Sequence, residues 1–195
     1  MSHTLYIISG CNGAGKTTAS FTILPEILSC YEFVNADEIA RGLSPFRPES
    51  VAIEAGRIML QRIDELLNER VDFALETTLS SKIYKHKILR AQTLGYKIVL
   101  LFFWLRDVAL AIERVKIRVS KGGHSIPIEA IKRRYKSGIV NLFNIYIPLC
   151  DKVIITDNSQ PHFELIAEGG RDAGMNILDH ENWQKIKHLG NEKTE

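Results

Sequence analysis

The chain has 195 residues, 25 Lys and Arg against 23 Asp and Glu, a net charge of +2, and 45% hydrophobic residues. This composition excludes a mainly disordered chain and argues against a protein that relies on a broad electrostatic grip on nucleic acid. The length suits one domain, 1–195, able to bury roughly 70% of its unfolded surface without disulfides or structural metal.

The first predicted strand is Thr4 to Ser9, preceded by no basic segment and long apolar stretch, so no secretory leader is expected. It runs into Gly10-Cys11-Asn12-Gly13-Ala14-Gly15-Lys16-Thr17, a full match to G-x-x-x-x-G-K-[ST], and then into a predicted helix from Lys16 to Leu28. The glycines let successive backbone N–H groups turn toward phosphate oxygens, and the helix start adds unpaired amides and a positive dipole end. Gly10, Asn12, Gly13, Ala14, Gly15, Lys16, Thr17 and Thr18 are therefore expected to hold a nucleotide. Lys16 is expected to reach the β- and γ-phosphates, and the Thr17 hydroxyl to hold Mg²⁺. The sequence carries neither an Asn-Lys-x-Asp guanine reader nor a Leu-Ser-Gly-Gly-Gln segment, so ATP is the expected nucleotide.

A second strand, Tyr31 to Asn35, delivers Asp37 to the carboxyl edge of the sheet, where α/β folds bind ligands. Asp37 is expected to be either a general base for an acceptor hydroxyl or the N-cap of the helix that follows, and spacing does not choose between them. Arg41, four residues on, is a candidate for acceptor binding. After a predicted helix from Pro48 to Asn68, the third strand, Asp72 to Glu76, delivers Glu76-Thr77-Thr78 to the same edge of the sheet. Glu76 is a candidate for holding Mg²⁺ or orienting the acceptor. Thr77 and Thr78 are candidate donors to the acceptor, the alternative being that Thr78, Ser80 or Ser81 caps a helix from Lys82 to Leu94.

The fourth strand, Lys97 to Leu105, is apolar on both faces, as a strand covered above and below requires. Its run from Ile98 to Leu105, eight residues, is the longest apolar stretch, and spanning a bilayer as a helix takes roughly 20. Helices at Val108 to Ser120 and Ile128 to about Ile145 enclose Lys121-Gly122-Gly123-His124-Ser125-Ile126-Pro127, a hinged loop flanked by Arg114, Arg118, Arg133 and Arg134. Such arginines around a glycine hinge describe a lid, over about 114–134, that neutralises transferring phosphate oxygens when substrates are bound. His124 is a candidate contact to phosphate or substrate. A fifth strand, Lys152 to Thr156, precedes a tail, 160–195, with a hairpin expected across Gly169-Gly170 and a polar helix near Asn182 to Leu189. No His or Cys pair has zinc spacing, so Mg²⁺ with ATP is the only metal implied. The three widely spaced cysteines, Cys11, Cys30 and Cys150, fit a reducing, cytoplasmic setting.

Strands alternating with helix-length segments give an α/β fold of three layers around a mostly parallel sheet of five or more strands. The ordered set Gly10 to Thr17, Asn35-Ala36-Asp37, Glu76-Thr77-Thr78-Leu79-Ser80, the arginine helix and Gly122 to Pro127 resembles the zeta-toxin-like kinases. The likeness is to the small bacterial branch described as predicted ABC-type ATPases, and it spans roughly Thr4 to Ser159. The resemblance implies a nucleotide-kinase-like core that transfers phosphate from ATP to a small-molecule hydroxyl, in the toxins that of UDP-N-acetylglucosamine. It implies Lys16 and Thr17 for ATP and Mg²⁺, Asp37 as base, Glu76 with Thr77 or Thr78 for the acceptor, and Arg118 and Arg134 as the lid pair. His124 stands where some members have an arginine. An antitoxin-like protein is the partner implied, with neither nucleic acid nor membrane. The rival reading is an NTPase switch that hydrolyses ATP under the control of a partner protein.

Overall fold

The computed structural model describes residues 3–191. Seven strands form one sheet in the order β2-β3-β1-β4-β5-β6-β7: β1 Thr4–Gly10, β2 Glu32–Val34, β3 Phe73–Thr77, β4 Lys97–Trp104, β5 Lys152–Asp157, β6 Glu164–Gly170 and β7 Gly174–Ile177. The first five run parallel and the last two antiparallel. The helices are α1 Lys16–Thr22, α2 Ala36–Leu43, α3 Ala52–Glu69, α4 Tyr84–Thr93, α5 Val108–Ser120, α6 Ile128–Asn141 and α7 His180–Asn191. No described helix is long and apolar enough to cross a membrane.

The central strands are buried on both faces: Leu5, Ile7, Phe73, Leu75, Ile98 and Leu100 are fully enclosed. Helices on both sides of the sheet account for that pattern. In α3, Ala55, Met59, Ile63, Leu66 and Leu67 form the buried stripe, at the helical steps expected of a helix with one apolar face. Because β1 lies between β3 and β4, the chain leaves it toward one flank and later returns on the other. The crevice of an open α/β sheet opens at such a switch point, beyond the carboxyl ends of the strands.

Three expectations shift. The first helix ends at Thr22 and passes into a wider π turn over Ile23–Ile27, because Pro25 has no N–H to donate and its ring crowds the preceding turn. The helix expected from Ile128 to Ile145 likewise gives way at Leu142, short of Pro148. The hairpin at the chain's end turns after Gly170, between β6 and β7, and Gly169 and Gly170 are part of β6 itself. Their role is close approach: a Cβ at Gly170 would strike the Asp151 carbonyl, and one at Gly169 the Gly174 carbonyl.

Candidate active site

The loop after β1 is shaped by the residues that its motif demands. Gly13 and Gly15 have φ of +82° and +81°, the left-handed region that glycine enters without steric cost. Space is equally restrictive, because a Cβ at Gly13 would lie 2.8 Å from the Ala111 carbonyl of α5. Gly15 caps α1 without a side-chain bond, so the first amides of the helix face the crevice unpaired. Lys16 is buried, its Nζ donating to the Cys11 carbonyl at 3.1 Å and lying 3.6 Å from Glu76 Oε1. The Thr17 hydroxyl donates to the same carboxylate at 2.9 Å. Burial pushes the Cys11 thiol up to about 11, more than nearby Lys16 lowers it.

β3 pairs in parallel with β1, Ile8 opposite Glu76, and this register places the acid beside the loop. Asn35, at the end of β2, holds two parts of the site together. Its Nδ2 donates to Glu76 Oε2 at 3.0 Å, and its Oδ1 accepts from the amides of Asp37, at 2.8 Å, and Glu38, at 3.4 Å. Asn35 is therefore the N-cap of α2, and Asp37 sits in the first turn with its carboxylate directed elsewhere.

Lys16, Thr17, Thr18, Asp37, Glu76, Arg114 and Arg118 line one cavity of about 250 Å³ with the loop. A second, about 190 Å³, is lined by Asp37, Glu76, Thr77, Thr78, Ser80, Ser81, Tyr84 and Arg134. A third, about 170 Å³, places Asp37 and Arg134 opposite His124 and the loop before α6. A roomier hollow of about 470 Å³, between β2, α2 and α3, holds none of the predicted site residues.

Asp37, Glu76, Thr77, Thr78, His124, Arg118 and Arg134 thus gather around the phosphate loop. Arg134 reaches across to it, Nη1 donating to Asn12 Oδ1 at 3.3 Å. Gly10 and Ala14 shape the loop from beneath, a Cβ at Gly10 striking the Phe103 carbonyl. Arg41 does not join: it is exposed on α2 and paired to Glu38 at 3.1 Å. The threonines are engaged locally, Thr77 Oγ1 accepting from the Leu79 amide and Thr78 Oγ1 bonding Ser80. Neither caps α4, which begins after Ile83 without a side-chain cap. Leu79, buried at φ +57°, is pinned by Asn141, which donates to its carbonyl at 2.7 Å. A non-glycine residue in that region costs roughly 1 to 2 kcal/mol.

Sequence reasoning missed Asn158, just beyond β5. Its Nδ2 donates to the Ala14 carbonyl at 2.5 Å, and Arg114 holds its backbone, donating to the Asn158 carbonyl at 2.7 Å and to that of Ser159 at 3.0 Å. The one signal available was its position at a strand's carboxyl end.

A family model described as Zeta toxin matches residues 2–160. An uncharacterised protein of Haemophilus influenzae is 28% identical over 126 residues, 65% of this chain and 88% of its own length. Among solved structures, AvrRxo1-ORF1:ORF2 with ATP aligns at a TM-score of 0.76 and 16% identity, over 100% of this chain and 66% of that chain. The present chain thus spans just under two thirds of that protein. The PezAT toxin-antitoxin system of Streptococcus pneumoniae aligns at 0.64 and 12% identity, over 97% and 84%, and a gluconokinase from Sinorhizobium meliloti at 0.53 and 15%, over 82% and 84%. At such identities the structural likenesses establish a P-loop kinase fold, and the matched family model adds the kinship: the chain belongs to the zeta toxin family.

Proposed function

We propose that the protein is an ATP-dependent kinase that transfers the γ-phosphoryl group to a hydroxyl of a small molecule. The observation that carries this reading is that Asp37 and the phosphate loop line one cavity, so a base faces the place where the loop's amides would hold a triphosphate. Lys16, now folded onto the Cys11 carbonyl, has a flexible stem that can exchange that bond for one to the β- and γ-phosphates.

Asp37 accepts the acceptor's proton as its oxygen bonds to the γ-phosphorus and the bond to the ADP oxygen breaks. Arg118 and Arg134 neutralise the transferring oxygens, bidentate donors being suited to that geometry. The donor set suits Mg²⁺: Thr17 and Glu76 offer hard oxygens 2.9 Å apart, and no described cluster of His, Cys, Asp or Glu competes for the ion. When bound there by Thr17 and Glu76, Mg²⁺ would supply charge neutralisation for the phosphate oxygens.

A sugar nucleotide such as UDP-N-acetylglucosamine is the acceptor we favour, by kinship with the toxins. An antitoxin-like protein is the partner we favour, since the similar structures include AvrRxo1-ORF1:ORF2 and the PezAT toxin-antitoxin system. The three free cysteines are buried, and we place the protein in the reducing, ATP-rich cytoplasm.

Pure protein incubated with ATP, Mg²⁺ and a panel of sugar nucleotides and polyols, read by mass, should yield a phosphorylated acceptor. Release of free phosphate alone would favour the NTPase switch instead.

A further inference from the structure

His124 occupies a position with conflicting demands. Its side chain is mostly buried, and its Nε2 lies 3.6 Å from Asp37 Oδ2 and 3.5 Å from an Nη of Arg118. The same guanidinium donates to the His124 backbone carbonyl at 3.1 Å, while the Nε of Arg118 is buried without a partner. Gly123 makes this approach feasible, since a Cβ there would lie 2.7 Å from Arg118 Cγ. The charged and titratable groups facing the ring are Asp37 and Arg41 on α2, Glu49 in the turn before α3, and Arg118 on α5, with Arg134 of α6 lining the same hollow.

One ring nitrogen cannot serve both neighbours at once. Carrying a proton, Nε2 donates to a carboxylate and repels a guanidinium hydrogen; without one, it accepts from the guanidinium and repels the carboxylate.

We propose that His124 is a positioning residue that holds either the base or the arginine, according to whether Nε2 carries a proton. With the proton on Nε2, the ring grips Asp37 and withholds that carboxylate from the acceptor, and Arg118 loses its hold on the ring. With Nε2 bare, the ring steadies Arg118 and leaves Asp37 free to take the acceptor's proton. This inference rests on the kinase reading for the roles of Asp37 and Arg118. Burial, followed by Arg118 and Arg41, lowers the imidazole pKa below its ordinary 6.5, against the upward pull of Asp37 and Glu49. In the neutral ring that holds Arg118 the proton sits on Nδ1; the doubly protonated ring, which must carry one on Nε2 as well, forms on the acid side of that value, and turnover should fall there.

The test is a histidine ring NMR titration of the full chain, wild type against Asp37→Asn and Arg118→Met, paired with the pH dependence of MgATP turnover in wild type, His124→Asn and His124→Gln. Asp37→Asn should lower the His124 midpoint by roughly 1 unit and Arg118→Met should raise it. In the wild type, the acid limb of turnover should coincide with that midpoint, and it should vanish in both His124 variants. Midpoints unmoved in both charge variants, or an acid limb retained without His124, would overturn the proposal. Absence of a phosphorylated acceptor from the whole panel at every pH, with the midpoints shifting as described, would sink the kinase reading and leave the two-way contact standing.

Discussion

The phosphate loop and the α5–α6 segment face each other across the same cleft and are built in opposite ways. The loop is largely buried and its side chains are tied down, Lys16 to Cys11 and Thr17 to Glu76, with Asn158 on the Ala14 carbonyl and only its helix-start amides left open to the crevice. The facing segment offers long side chains and fewer commitments, including an Arg118 Nε with no partner and an ion-pair contact of 3.6 Å to Asp37. The difference assigns the tasks. On the kinase reading, the loop is already shaped for a phosphate tail, and the segment opposite holds groups that would change partners as substrates arrive.

The largest effect should come from Asp37, which faces both. Asp37→Asn should reduce transfer by about 10²- to 10⁴-fold, the usual worth of a general base. Its ATP affinity, measured calorimetrically, should stay within about twofold, and a comparable loss of affinity would make Asp37 part of the nucleotide site. Lys16→Ala tests the loop side, where ATP binding should weaken by about 10- to 100-fold on losing a charged donor. An unchanged dissociation constant would show that the ammonium stays on Cys11 and Glu76.

Asn35→Ala should remove a helix cap and a bond to Glu76 together, costing about 1 to 2 kcal/mol and lowering Tm by about 2 to 8 °C. Its acceptor KM should rise more than its ATP KM, because α2 carries Asp37. Alkaline pH gives a graded loss. Cys11 and Cys30 are raised from 9.0 to about 11 and Cys150 to about 12, all mainly by burial. A raised folded pKa means stability is intact below the unfolded value and drains away above it, so Tm should decline from pH 9 upward through about 12. Arg41→Ala should do least: its exposed pair with Glu38 predicts a stability change within about 0.5 kcal/mol, with turnover unaltered above the acid limb.

The phosphate loop was legible because its requirements are local: glycines, a lysine and a threonine in fixed order after a strand. The α/β class and the parallel strands were legible for a similar reason, since strands buried on both faces leave continuous apolar runs such as Ile98 to Leu105. Asp37 was ambiguous because a cap and a base occupy the same spot in sequence. Only the bond from the Asp37 amide to Asn35 Oδ1 shows which residue begins the helix. Asn158 was illegible in a deeper sense, being far from Ala14 along the chain and brought to it only by the pairing of β5 beside β4. Gly169 and Gly170 misled for the opposite reason: glycine serves turns and crowded backbones alike, and the sequence does not say which.

One glycine of α6 carries a consequence for the arginine that precedes it. Gly138 faces the backbone of Thr78, where an ideal Cβ would stand 2.5 Å from the carbonyl oxygen. Alanine suits a helix interior better than glycine by about 1 kcal/mol, yet here a methyl group would act as a shim between helix and loop. A graded series of ever bulkier residues at that point would lever the helix outward step by step, and with it the reach of Arg134 to Asn12. The width of the cleft is thus set by the absence of a side chain.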